Sequence, residues 1–162
     1  MRPPVNPFPR LPHGAPFLLL DRVVEIGEHS GVFLKLVAAA DPCVGTDGAL
    51  PAVFVLEALA QGGGALLGAL GGGAPAPGYL AGVDDFRVLA PVRVGDALRV
   101  EVVIVRHFSS ATLFSANKSN NQQQIVRPPS LWMPQRSTSI TVLSPSGGAR
   151  LTDLTARRTV VP

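Results

Sequence analysis

Residues 51–70, PAVFVLEALAQGGGALLGAL, constrain the fold more than any other stretch of the chain. They are apolar, rich in Ala and Gly, and long enough for more than five turns of helix. Pro51 suits the first turn, where a missing N–H costs nothing. Glu57 and Gln61 are the only side chains in the stretch that ionise or bond strongly, and on a helix they share one face, one turn apart. A helix that is apolar nearly all round is a buried one, and a carboxylate on it must be paired or used. Glu57 is therefore either a core carboxylate met by a neighbouring donor or a general acid or base. Twenty such residues also suffice to span a bilayer. However, Glu57 near the middle and the run Gly62, Gly63, Gly64 favour close packing on a sheet. Each of those glycines costs about 1 kcal/mol relative to Ala in a helix, and close approach to neighbouring strands is the gain that offsets it.

The remaining 142 residues must then supply the sheet. Residues 1–10 hold four prolines and read as an extended arm. The opening MRPPVNPFPRLP has no apolar core of the kind that secretory signals carry, so none is expected there. Residues 17–26 have strand composition, His29-Ser30-Gly31 is a turn, and residues 32–40 alternate as a second strand. DPCVGTDGAL, residues 41–50, is a loop that delivers the chain to the helix. After the helix, residues 79–83 form a short strand, and Pro91 and Val94-Gly95-Asp96 mark a turn. Residues 97–108 alternate clearly, with Leu98, Val100, Val102 and Ile104 on one parity, and residues 111–116 return as a partner. Residues 137–143 read as one more strand. One long helix among antiparallel strands predicts an α+β architecture in which the sheet wraps the helix.

Composition changes abruptly at residue 117. Residues 117–135 hold three Asn and four Gln, whereas the 116 residues before them hold one of each. We read residues 117–136 as an insertion or atypical loop within a single domain over residues 11–145, and residues 146–162 as a tail. Charge divides at the same place. Residues 1–117 carry eight Lys/Arg against ten Asp/Glu, a balance of −2, and residues 118–162 carry six against one, a balance of +5. The basic excess thus lies outside the expected folded part, which argues against nucleic acid as a partner. One cysteine, Cys43, allows no disulfide within the chain and makes a reducing cytoplasm the expected setting. His13, His29 and His107 show no metal-ligand spacing.

Three blocks resemble the FabZ/FabA-type 3-hydroxyacyl-ACP dehydratases. They are LPHGAPFLLLDRVVEI (residues 11–26), LEALAQ (residues 56–61) and AGVDDFRVLAPVRVGDALRVEV (residues 81–102), in order and at the family's spacing. The resemblance implies a hot-dog fold, a homodimer or a heterodimer with a related subunit, and elimination of water from a 3-hydroxyacyl thioester to the trans-2-enoyl product. It implies no cofactor. Glu57 maps onto the family's acid. Gln61 would orient that acid or the thioester, and backbone N–H groups near the helix N-terminus, with Gly48, Ala49 and Val53 as candidates, would hold the thioester. The likeness also extends to divergent dehydratase-like members of aryl-polyene and polyketide-type pathways.

The chain departs from the family at the base. The family's His lies in a GHFPG loop before the helix; here Pro42-Cys43-Val44-Gly45-Thr46 stands in that place, and the His position falls on Cys43. Cys43 is either a substitute base, if a positive neighbour stabilises its thiolate, or a small apolar residue. His13 lies in the opening block, where the family has a His that is not the base, and is read as structural. Three functions remain open: a divergent dehydratase, a weakly catalytic or acyl-binding hot-dog partner, and a hot-dog acyl thioesterase. An acidic acyl carrier protein is the expected substrate donor, with Arg87, Arg93 and Arg99 as a candidate docking patch.

Overall fold

The structure, a computed structural model, describes residues 11–71, 78–107, 111–120 and 138–143. Its elements in chain order are β1 (Arg22–Ile26), β2 (Ser30–Leu36), β3 (Ala49–Leu50), α1 (Ala52–Leu70), β4 (Tyr79–Asp84), β5 (Val92–Arg93), β6 (Ala97–His107), β7 (Ala111–Asn120) and β8 (Thr138–Leu143). Six strands form one antiparallel sheet in the order β1-β2-β6-β7-β8-β4, and β3 pairs with β5 in a small second sheet. The helix packs across β2, β6 and β7, as the α+β reading expects.

Alternation on β6 sets the core. Leu98, Val100 and Val102 are buried, whereas Arg99 and Val103 between and beyond them are exposed. Phe33 of β2 lies opposite Val100, and Phe114 of β7 lies opposite Ile104. These side chains meet Ala58, Leu59, Ala65 and Leu66 of the helix in one cluster. A second cluster closes the helix's N-terminal end, where Val55 meets Leu50 of β3, Val92 of β5, Val37 and Leu98. The glycines sit where the helix crosses the sheet. A Cβ on Gly62 would lie 2.9 Å from Val102 Cγ2 and 3.0 Å from Val100 Cγ1, and one on Gly63 would lie 3.3 Å from the Phe114 ring. By length and composition α1 would cross a membrane, at a mean hydropathy of 1.6. Its buried side on the sheet makes it a core helix.

Four expectations need correction. Residues 17–20 are not strand: the sheet takes up the chain only at Arg22. The second strand ends at Leu36, because the Ala38 N–H bonds the Asp41 carboxylate 2.9 Å away and turns the chain. Two short strands, β3 and β5, escaped the sequence reading, since two residues carry no period. Strand β7 runs on to Asn120, four residues into the segment read as an insertion, because β6 is long enough to pair with it. The remainder of that segment, residues 121–136, lies outside the described residues, as do the arm at residues 1–10 and the tail at 146–162. Strand β8 belongs to the sheet, between β7 and β4.

Candidate active site

Gln61 is the centre of the site. It is 1% exposed and fully bonded. Its amide oxygen accepts the Leu19 N–H at 2.9 Å. Its NH₂ group donates to the Phe17 carbonyl at 2.8 Å and to Glu57 Oε1 at 2.9 Å. This explains why residues 17–20 are not strand: their backbone groups are bonded to a helix side chain rather than to a neighbouring strand. The turn before them is closed by the Phe17 and Leu18 N–H groups, both donating to the Gly14 carbonyl at 2.8 and 2.9 Å. The opening segment is thus laid along α1, with Leu11 near Gly64 and residues 17–19 tied to Gln61.

Glu57 stands at the margin of the helix's buried face, its side chain 23% exposed. The fully buried polar group is therefore Gln61, and not the carboxylate that an all-round apolar helix would enclose. Gln61 holds Oε1, while no bond to Oε2 is formed among the described residues. The second neighbour of Oε1 is His13, whose Nε2 lies 3.5 Å away. Sequence reasoning placed His13 in the framework; the fold places it on the candidate acid. The two residues are 44 apart in the chain, and no periodicity links them. The one available signal was that His13 shares a segment with Phe17 and Leu19, the backbone partners of Gln61.

The loop after β2 is pinned by a buried lysine. Lys35, its side chain 4% exposed, bonds the Asp41 carboxylate at 2.8 Å and has Asp21 at 3.8 Å. Burial pushes the Asp41 carboxyl up, but the Lys35 hydrogen bond, the Ala38 N–H and the Lys35 charge outweigh it and hold the group below the usual carboxylate value. Cys43 follows in this loop, partly buried and packed against both core clusters. That environment fits a small apolar residue.

The expected thioester donors divide. The Gly48 N–H donates to the Gly45 carbonyl at 2.9 Å, and the Ala49 N–H donates to Asp47 Oδ1 at 3.1 Å. Both N–H groups are bonded within the loop, whose tight geometry uses them. Val53 lies in the first turn of α1, where amides point past the helix end without an intrahelical acceptor. The three arginines do not form a bare cationic patch. Arg87 is paired with Asp85 and Arg99 with Glu101, both at 2.7 Å, and Arg93 donates to the Asp47 carbonyl at 3.2 Å. His29 and His107 are remote from the helix face in their bonding: His29 is 3.9 Å from Glu28, and His107 bonds the Thr112 hydroxyl at 3.0 Å. No group of three or more His, Cys, Asp or Glu among the described residues could hold a metal ion.

Chemically, the arrangement is a carboxyl with one oxygen held by a buried amide and the other available. Such a group can give or take a proton at a defined point.

A family model described as ApeP-like, ApeP dehydratase, matches residues 5–130. The 3-hydroxyacyl-[acyl-carrier-protein] dehydratase FabZ of Bartonella bacilliformis is 38% identical over 110 residues, covering 64% of this chain and 71% of the relative. That of Actinobacillus succinogenes is 35% identical over 119 residues, covering 68% and 78%. Among solved structures, the dehydratase heterocomplex ApeI:P from Xenorhabdus doucetiae superposes with a TM-score of 0.72 at 21% identity, covering 94% of this chain and 99% of that one. A hypothetical thioesterase of Streptococcus pneumoniae, solved with coenzyme A, superposes at 0.58 with 12% identity, over 76% and 87% of the two chains. The fold is a hot-dog fold.

Proposed function

Because the chain belongs to the ApeP-like dehydratase family, we propose that it eliminates water from a 3-hydroxyacyl thioester carried on an acyl carrier protein, with Glu57 as the acid. The observation that carries this reading is the Gln61 bond to Glu57 Oε1, which leaves Oε2 as the oxygen that meets substrate. In the elimination, a base removes the C2 proton, and the electron pair of that C–H bond becomes the C2–C3 double bond. The C3–O bond breaks, and Glu57 gives its proton to the departing hydroxyl, which leaves as water. Charge develops on the thioester oxygen as C2 loses its proton. The Val53 N–H and the positive end of α1 are the groups that would meet it.

The base is the open place in this scheme. The loop at residues 42–46 holds no histidine, and the apolar packing of Cys43 favours its structural role over proton transfer. A second subunit of the same fold, supplying a histidine across the interface, completes the site most economically. The likeness to one chain of a dehydratase heterocomplex supports that assembly. A cytoplasmic setting and fatty-acid or polyene-type synthesis belong to the same reading, as does docking of an acidic carrier near Arg93. The thioesterase alternative rests on fold likeness at 12% identity alone and is not favoured.

The test is a dehydration assay with a 3-hydroxyacyl-carrier substrate, run on the full chain alone and mixed with a histidine-bearing hot-dog dehydratase subunit. Glu57→Gln should reduce turnover by about 10²–10⁴-fold. Undiminished turnover in that variant would remove Glu57 from the mechanism. No turnover from either wild-type preparation, with folding confirmed, would remove the dehydratase reading.

A further inference from the structure

We propose that His13 is a positioning residue for the Glu57 carboxyl, acting with Gln61 to keep Oε1 occupied and Oε2 aimed at substrate. This rests on the dehydratase reading and deepens it. Two observations carry it. The first is the approach of His13 Nε2 to within 3.5 Å of the same oxygen that Gln61 bonds at 2.9 Å. The second is the state of the other ring nitrogen: Nδ1 is buried and has no hydrogen-bond partner among the described residues.

The unpartnered nitrogen decides the tautomer. A buried N–H without an acceptor is costly, and a bare lone pair on nitrogen is cheaper to leave unpaired. The neutral ring therefore carries its proton on Nε2, on the side of Glu57. The ring is held by packing rather than by a second hydrogen bond: its centroid lies 5.9 Å from that of Phe17, tilted by 38°. Phe17 also gives its carbonyl to Gln61. His13 therefore approaches Glu57 from the opening segment, which the Gln61–Phe17 bond clamps on the helix, while Gln61 reaches the same oxygen from one turn further along α1. A carboxyl held by one donor still pivots about that contact; two donors on one oxygen restrict the pivot and fix the direction of the other oxygen. The 3.5 Å separation is long for a hydrogen bond, as catalytic hydrogen bonds often are before substrate is bound. His13 remains 29% exposed, so the ring has room to shorten it.

The test compares two substitutions with opposite virtues. His13→Phe keeps an aromatic ring against Phe17 and loses the donor. His13→Gln loses the ring and keeps an N–H donor at about the reach of Nε2. In the dehydration assay, His13→Phe should lower kcat about 10–100-fold with KM within about twofold. His13→Gln should keep at least about a third of wild-type kcat. In a Glu57→Gln background, His13→Phe should add no further loss, because the residue acts through Glu57. Thermal melts of each variant separate loss of function from loss of fold. A Phe variant as active as wild type, or a Gln variant as impaired as the Phe variant at matched stability, would overturn the proposal. If wild type turns over and Glu57→Gln does not, either of those results leaves the dehydratase reading standing. A wild type without turnover, alone and with its partner, removes both.

Discussion

Gln61 satisfies three partners with one amide group, and the bonds do two jobs. The Leu19 and Phe17 bonds fasten the opening segment, and the Glu57 bond orients the candidate acid. Gln61 is itself 1% exposed and its bond to the Leu19 N–H is buried, so removing the amide leaves backbone groups of the opening segment unpaired. Gln61→Leu should destabilise the fold by about 2–4 kcal/mol, read by urea denaturation, since it leaves the Leu19 N–H and the Phe17 carbonyl unpaired. A change below about 0.5 kcal/mol would mean that water replaces the amide. Glu57 and Gln61 were legible as a pair because a four-residue spacing fixes a shared face on any helix. Which of the two would be buried was not legible, because that depends on what lies across from the helix.

The helix is built for close approach at the cost of its own propensity. Gly62 gives up about 1 kcal/mol relative to Ala, yet a Cβ there would sit 2.9 Å from Val102 and 3.0 Å from Val100 on a central strand. Both neighbours are β-branched and buried, with little freedom to move aside. Gly62→Ala should therefore be net destabilising by about 1–3 kcal/mol despite the better helix former. At Gly64 the nearest atom is the end of the Leu11 side chain at 3.2 Å, which can yield. Gly64→Ala should fall closer to neutral, and thermal melts of the two variants side by side check the order. The run of glycines announced close packing from sequence alone. The short strands β3 and β5 gave no comparable signal, since each exists only through a partner distant in the chain.

At the scale of the whole molecule, strand order matters more than strand content. Strand β8 stands between β7 and β4, so the last described segment of the chain joins the strand after the helix to the rest of the sheet. A chain ending at Asn120 would leave β4 without a neighbour and should show no cooperative thermal transition; a sharp melt would mean that the domain closes without β8. The elements with a strong period were legible in the residues alone: the helix, the alternating strands read at residues 32–40 and 97–108, and the α+β layering that follows from a single apolar helix. The resemblance to the FabZ/FabA-type family supplied the candidate acid and the missing loop histidine, because its blocks map residue by residue onto this sequence. It took the folded chain to show that Phe17 and Leu19 bond a glutamine instead of a strand, that the Gly48 and Ala49 amides are bonded within their loop, and that His13 comes within 3.5 Å of Glu57. Those contacts join residues whose separation follows no period, and their energies exist only once hydrophobic burial has brought the opening segment, the loop and the helix together.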